Sequence, residues 1–430
     1  MITTDTAQLS SPSWSTVGKW LFRFSCVYWL LYNFPFPLTE LPLAQPLLGL
    51  YDDAWNTIVV WIGHVVFGQN ITIRPAGSGD TTWNYVQLFC FALLSLLATM
   101  VWSFVDRRRP HYAKLWQWLQ VYLRFVLAAA LIAYGAVKVI KAQFPDLTID
   151  ALAQPLGDSS PMGLLWKFMG ASWLFNVFTG AAEMLAGLLL TMRRTTLLGA
   201  LLSIAALSNV VILNLSYDVP VKLYSMHLLA MAVFVVLPDA RRLVNLFWFN
   251  RPVAAALPSP LFATAKRNRT ASLVAATLVI AVTGWNLFEA WQDRQEIHAP
   301  AARSPLYGLW NVEVLEVNGQ VRPPLLTEES RWRRLVFDRP DWLVIQLTSD
   351  ARERYQLELE ADTNRLRLRK RSDPQWRAEL GYEQHSEEQL VLTGSFGAET
   401  IRARLRRMPT TQFPLISRGF HWINEFPYNR

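Results

Sequence analysis

A helical polytopic membrane bundle of about seven spans, followed by an antiparallel all-β external domain, is the fold class this sequence predicts, on three observations. Of its 430 residues, 52% are hydrophobic and 17% charged, too apolar for an ordinary soluble chain. Residues 1–299 carry 21 Lys+Arg and 15 Asp+Glu, whereas the much shorter stretch 300–430 carries 20 and 18, so an apolar front joins a polar back. From Leu306 onward the hydrophobic period changes from helical to two. Abundant aromatics, aperiodic glycine and only two cysteines exclude disorder, collagen-like repeats and a disulfide scaffold.

A bilayer core about 30 Å thick needs roughly 20 apolar residues per helix. Thr81–Val105, Thr195–Tyr217 and Thr270–Phe288 carry no charge. Residues 17–36, 118–141, 172–192 and 221–238 are apolar runs interrupted by single ionisable groups, giving seven expected spans. Basic loops are retained in the cytoplasm. Arg107–Arg109, Arg193–Arg194, Arg241–Arg242 and Lys266–Arg269 fall on one face if the N-terminus is inside, which would put the β domain outside; Lys138 and Lys141 lie at the opposite end. The net charge of +8 is then a topology signal and needs no nucleic-acid partner. Residues 17–36 lack a small-residue cleavage site and read as a retained helix. Four segments result: 1–110, N-terminal spans with an outer amphipathic helix; 111–245, a four-helix unit; 246–299, a cytoplasmic loop, the last span and a linker; and 300–430, the periplasmic β domain. Pro46–Gly68 reads as a helix on the outer membrane surface or as a lid on the bundle. Residues 142–168 read as a long outer loop with short helices.

In the tail, apolar alternation at Leu335 and Phe337, at Leu343, Ile345 and Leu347, at Tyr355, Leu357 and Leu359, and at Leu366 and Leu368 marks half-buried strands. With 308–317, 376–383, 389–395 and 400–408 there are about eight. Eight strands joined by short turns can close into an up-and-down barrel; a plain sandwich fits the same runs. Gly308-Leu309-Trp310 resembles the Gly-x-Trp entrance of lipocalin-like barrels, and that resemblance implies a tryptophan plug with an Arg of the last strand, Arg404 or Arg406, over its ring. The interior would be either a hydrophobic ligand cavity or filled by side chains. The aromatic tail 418–430 is expected to dock on the barrel or on the bundle's outer face, a catalytic role for His421 and Glu425 being the lesser reading.

Ionisable groups within spans cost about 2.5–3.5 kcal/mol on insertion scales, so each needs a partner or a role. Tyr134, Lys138, Asn209, Asn214, Asp218, Lys222 and His227 fall toward the outer side of the expected bundle and Glu183 near the middle of its span, and together they form a candidate polar pocket that opens outward. Asn176, Thr179, Gly180, Glu183 and Gly187 make one helical stripe, and pairing with Lys138 or His227 would neutralise Glu183. An inert interhelical clamp has even standing with a functional site. Arg23 and Arg124 are expected to snorkel. Gln143, Asp158 and Trp166 are the candidate contacts of the outer loop. Cys26 and Cys90 form no Cys-x-x-Cys pair, and neither metal-ligand clusters nor a nucleotide loop is legible. A bis-histidine haem would need His227 with a distant histidine such as His64. No catalytic residue can be assigned.

Residues 118–240 resemble the DoxX family of bacterial membrane proteins. The likeness rests on Tyr134-Gly135 with Lys138, Gln143-Phe144-Pro145, Gly157–Trp166, Glu183 before Arg193-Arg194-Thr195-Thr196, and Tyr217-Asp218-Val219-Pro220-Val221-Lys222. It implies a four-helix unit and an association, in some members, with respiratory or thiosulfate-to-quinone electron transfer; the two front spans, the last span and the β domain are additions to that pattern. A weaker likeness is to the transmembrane domain of vitamin K-dependent carboxylase-like proteins, with no catalytic motif matched. The functional expectation is an oxidoreductase-associated bacterial inner-membrane component binding a quinone or other lipid-soluble molecule, with electrons from a partner protein. The alternatives are a non-enzymatic lipid-binding or assembly protein and a proton-coupled transporter.

Overall fold

The computed structural model describes residues 13–38, 45–73, 77–255, 260–299, 303–373 and 375–429. The expected start of the β domain, at residues 300–302, and the terminal Arg430 lie outside the described residues. The helices are α1 (Thr16–Asn33), α2 (Gln45–Phe67), α3 (Thr82–Val105), α4 (Ala113–Val139), α5 (Ile149–Ala153), α6 (Pro161–Ala171), α7 (Trp173–Thr191), α8 (Thr196–Ser216), α9 (Lys222–Val236), α10 (Ala240–Leu243), α11 (Ala265–His298) and α12 (Pro414–Ser417). Among the described residues six helices are long and apolar enough to cross a membrane: α3, α4, α7, α8, α9 with its continuation to Trp248, and α11 as far as Ile297. The protein is thus a multi-pass membrane protein. The expected first span forms α1, which is 18 residues long and carries Lys19 and Arg23; it is not among the six, so the count by length and composition is six rather than seven. Along α11, Leu273, Val274, Ile280 and Trp285 are exposed, the apolar face that lipid covers.

By internal contacts the chain divides into two compact units, Met1–Ala136 with Thr179–Leu287, and Val137–Phe178 with Phe288–Arg430. The segment 142–168, expected as an outer loop, therefore groups with the β domain. The first unit is built around Phe22, Leu123, Leu127, Leu131, Leu190, Leu207 and Met231. Close helix approach is set by glycine: a Cβ on Gly187 would lie 2.9 Å from the Ala128 carbonyl oxygen, and one on Gly199 2.7 Å from the Leu190 nitrogen. α2 packs through Trp55 and Val59 on Val86, Cys90 and Phe91 of α3. Arg23 and Arg124 do not snorkel. Arg23 is 3% exposed and donates to the Tyr112 hydroxyl (2.8 and 3.0 Å), Ser103 Oγ (2.6 Å) and the Asp106 carbonyl (3.1 Å). Arg124 is also buried and donates to Thr196 Oγ1. The Arg23 guanidinium can be buried because acceptors surround it, whereas the buried Nε of Arg124 meets no hydrogen-bond partner.

In the second unit the strands are β1 (Gly308–Val317), β2 (Gln320–Arg322), β3 (Trp332–Phe337), β4 (Trp342–Leu347), β5 (Arg352–Glu360), β6 (Arg365–Arg369), β7 (Arg377–Ser386), β8 (Gln389–Phe396) and β9 (Glu399–Met408). Every strand from β3 to β9 pairs with the next, β1 pairs with β3, and β9 returns to β1 from Leu309↔Met408 to Val317↔Ile401. The result is a closed eight-stranded antiparallel barrel, with β2 a short flap on β1 that the period could not reveal because all three of its residues are exposed. A bulge between Val312 and Val314 shifts the inward set of β1 from Trp310 and Val312 to Leu315 and Val317. The interior is filled by Trp310, Phe337, Leu343, Ile345, Tyr355, Leu368, Leu380, Leu392 and Leu405 among others. At one end Trp332, Tyr355, Trp376 and Phe396 pack with ring centroids 4.8–5.4 Å apart.

Trp310 is 1% exposed and its indole donates to the Leu306 carbonyl at 3.0 Å. The arginine over its ring is Arg407, 6.0 Å from the centroid, rather than Arg404 or Arg406. Ile401, Ala403 and Leu405 point inward, so Arg404 and Arg406 must point out, and Arg406 pairs with Glu313 at 2.6 Å. Arg407 shares the inward parity, and a Cβ on Gly308 would lie 2.9 Å from its Nε, the physical reason for glycine there.

Short helix α5 packs on the outer wall of the barrel, against outward-facing residues of β1, β3 and β4. Ile149 and Ala153 pack on Leu309, Val336 and Val344, and Asp150 accepts hydrogen bonds from Arg352 and Arg354. Thr148 caps α5, accepting from the Ala151 amide at 3.2 Å. Burial raises the Asp338 pKa against hydrogen bonds from Thr148 and the Ile149 amide, which lower it. Further on, Lys167 donates to Gln154 Oε1 (2.9 Å) and Ser159 Oγ (2.8 Å). The C-terminal tail leaves its aromatics exposed, contrary to the expectation of docking.

Two outcomes follow from this packing. Trp310→Ala should cost the barrel about 3–5 kcal/mol and Arg407→Ala about 1 kcal/mol, whereas Arg404→Ala should stay within about 0.5 kcal/mol, read from urea unfolding of the full chain. Asp150→Ala leaves the half-buried Arg352 unpaired and should cost about 1–3 kcal/mol; limited proteolysis should then cut 142–171 faster than in the parent.

Candidate functional site

The first unit carries an open pocket of about 690 Å³, within the usual range for small-molecule sites. It lies where α1 ends, α3 and α9 begin, and the later halves of α4 and α11 pass. Tyr32, Phe34 and Phe36 come from α1 and the turn after it, Asn84, Gln87 and Phe91 from α3, Ala129, Ala130, Ala133 and Tyr134 from α4, Tyr224 from α9, and Val282 and Asn286 from α11. Ala129, Ala130 and Ala133 are the reason there is space, since larger side chains on that face would fill it. The Tyr134 and Tyr224 rings are 6.1 Å apart. Asn33 of α1 and Tyr51 and Asp52 of α2 also line it, so the wall is aromatic and aliphatic with a few side-chain amides and one carboxylate, a composition that suits a flat amphipathic molecule.

Behind Tyr32 stands His227. Its ring stacks on Tyr32 with centroids 4.0 Å apart and planes 6° apart. Nδ1 lies 2.7 Å from the Leu223 carbonyl and Nε2 2.7 Å from the Tyr28 hydroxyl. A carbonyl only accepts, so Nδ1 carries the proton, and neutral His227 accepts the Tyr28 hydroxyl at Nε2. Partners from α1 thus hold His227.

The other expected site residues divide. Tyr134 lines the cavity. Glu183 is 4% exposed and Lys138 7%; Glu183 lies on the α7 stripe whose Gly180 carbonyl would be 2.7 Å from a Cβ on Gly135, and Lys138 is one turn beyond Tyr134 on α4. Asn214 is buried and donates to Ser225 Oγ at 3.0 Å, tying α8 to α9. Lys222 pairs with Asp218 at 2.7 Å and Asp80 at 3.8 Å. Asp218 is largely exposed at a positive φ, a turn role. Asn209 is exposed and points away from the constellation, because the face of α8 that is buried runs through Ser203, Leu207, Val211 and Asn214. In the outer loop, Asp158 is exposed and contributes its carbonyl to Gln154. Trp166 packs edge-on against Phe144 at 5.1 Å, and Gln143 Oε1 is buried with no hydrogen-bond partner.

Sequence reasoning missed Asn84, Gln87 and Asn286, amides inside runs singled out for carrying no charge. Their signal was available: an amide in an apolar span also needs a partner. It also missed Asp80, whose carboxylate accepts the Lys222 and Leu223 amides at 2.8 and 2.9 Å and so caps α9 from another part of the chain. Among the described residues no group of three or more His, Cys, Asp and Glu is arranged to hold a metal ion.

No family model matches the chain, and no solved structure matches it. A stretch of 126 residues, 29% of this chain, is 32% identical to the uncharacterized protein YwoB of Bacillus subtilis (strain 168) and covers 79% of that protein. By that identity and coverage the chain belongs to the family of YwoB.

Proposed function

We propose that the protein is an oxidoreductase-associated component of the bacterial inner membrane that binds a quinone or similar ring-bearing, lipid-soluble carrier in the cavity of the first unit. The observation that carries this reading is the lining itself: tyrosine and phenylalanine faces beside the amides of Gln87, Asn84 and Asn286. Amide N–H groups donate to a quinone's carbonyl oxygens, and aromatic rings stack on its face. The hydroxyl–imidazole pair Tyr28–His227, one ring behind the wall, is placed to exchange protons with the carrier as it is reduced and reoxidised. Electrons come from a partner protein in this scheme. The DoxX-like residues of α4, α7 and α9 support the same class.

A second reading rests on a different observation, the grip of Arg352 and Arg354 on Asp150: a membrane anchor that gathers a lipid and presents the barrel for assembly. For orientation we place the basic clusters in the cytoplasm. Six crossings return the chain to its starting side, so a periplasmic barrel requires α1 to cross as well.

Binding of a short-chain ubiquinone analogue to the purified full chain, followed by tryptophan quenching, should be saturable and weakened about tenfold by Gln87→Leu, the worth of one hydrogen bond. Saturable binding of phospholipid with no quenching by the analogue would overturn the quinone reading in favour of the anchor. An impermeant maleimide should label Ala398→Cys, in the β8–β9 turn, from outside intact spheroplasts; labelling only after lysis would place the barrel in the cytoplasm.

A further inference from the structure

The last described stretch of the chain is neither packed away nor unstructured. After α12, Arg418 donates to Asn424 Oδ1 at 2.5 Å and its guanidinium lies 4.1 Å from the centre of the Tyr428 ring, so residues 418–428 fold back on themselves around Gly419, at φ 65°. Phe420 and Trp422 meet edge to face at 5.0 Å. The loop so braced turns its apolar side chains outward: Phe420 is 74% exposed, Trp422 90%, Ile423 79% and Phe426 83%. A self-braced loop with four large apolar side chains facing outward is an interaction surface.

The second unit itself indicates what covers it. Phe413, at the root of the tail, packs in the cluster of Ile149, Ala153 and Leu309. That cluster belongs to the segment between two membrane-crossing helices. α5 begins ten residues after α4 ends, α6 ends two residues before α7 begins, and Lys167 of α6 is bonded to Gln154 just after α5. Two residues span about 7 Å at most, so it is the end of α6, one turn beyond Lys167, that meets the membrane-crossing α7. The tail thus springs from the face of the barrel on which the segment joining two membrane-crossing helices packs, and from Phe413 to Trp422 the chain can extend by about 30 Å. Tryptophan, phenylalanine and tyrosine beside arginine is the composition that partitions to the headgroup boundary, rings in the acyl edge and guanidinium among the phosphates.

We propose that residues 418–428 form an interfacial loop that inserts Phe420, Trp422, Ile423 and Phe426 into the headgroup region of the same bilayer that the helices cross, holding the barrel against the membrane. This goes beyond the proposed carrier site and does not depend on it.

The test uses the full chain in phospholipid nanodiscs with Cys26 and Cys90 replaced by alanine and an environment-sensitive fluorophore on Trp422→Cys, or on Phe426→Cys in a second preparation. The control is Ala398→Cys, in a turn at the barrel end away from the tail. Labels at 422 and 426 should emit to the blue of the label at 398 and lose most of their intensity to lipids carrying a nitroxide near the headgroup. A label quenched by aqueous iodide as readily as that at 398 would overturn the proposal. So would a label shielded from iodide yet untouched by the spin-labelled lipids, the mark of a protein partner. Because both positions are solvent-exposed, the substitutions leave the fold intact, and quinone binding by the same preparations reports separately on the cavity.

Discussion

Polar groups in the helical unit sit in apolar surroundings, and each stabilises the structure only where acceptors and donors meet it within hydrogen-bond distance. Arg23 is the clearest instance. Its guanidinium is enclosed by the Tyr112 hydroxyl, Ser103 and the Asp106 carbonyl, which draws together the start of α1, the end of α3 and the residue before α4. At the opposite end of α1, Tyr28 and Tyr32 hold His227 of α9. Asp80 closes the arrangement by capping α9. These contacts fix where α1, α3 and α9 stand, and the cavity is the space left between their ends and the alanine face of α4.

The barrel obeys a different constraint. Its strands must keep one face inward through a full turn of the sheet, and the bulge in β1 corrects the parity so that Trp310 at one end and Leu315 and Val317 further along both point in. The same parity selects Arg407, not its neighbours, to close over Trp310. With the interior occupied by side chains, binding chemistry in this protein is favoured on surfaces and in the helical unit. The barrel's outward contribution is the row of charged residues that grips α5 and the aromatic loop that continues from β9.

Much of this was legible in the chain. Hydrophobic runs located the six helices that are long and apolar enough to cross a membrane, because burial in lipid leaves a signal about twenty residues long. The alternation from Leu306 onward located the eight barrel strands, because half-buried strands write period two into the sequence. Tyr134 was found as a wall of the candidate site, and Glu183 and Lys138 as buried charges. The run 17–36 was legible as a helix, while Lys19 and Arg23 lower its mean hydropathy and keep α1 out of the six.

What the sequence by itself determined is the class of each segment and the inward face of strands β3 to β6, since both depend on local periodicity; it put Asn209 and Arg404 or Arg406 on faces that the structure turns outward. Only the tertiary structure decided the partners. Closure of β9 onto β1, the placing of Arg407 over Trp310, Asp80 at the head of a helix 142 residues away, His227 in the hands of α1, and the amides of Gln87 and Asn286 facing one cavity all join residues remote in the chain. Such pairings are fixed by three-dimensional distance and by the need of buried donors for acceptors, and neither quantity is written in any window of the sequence.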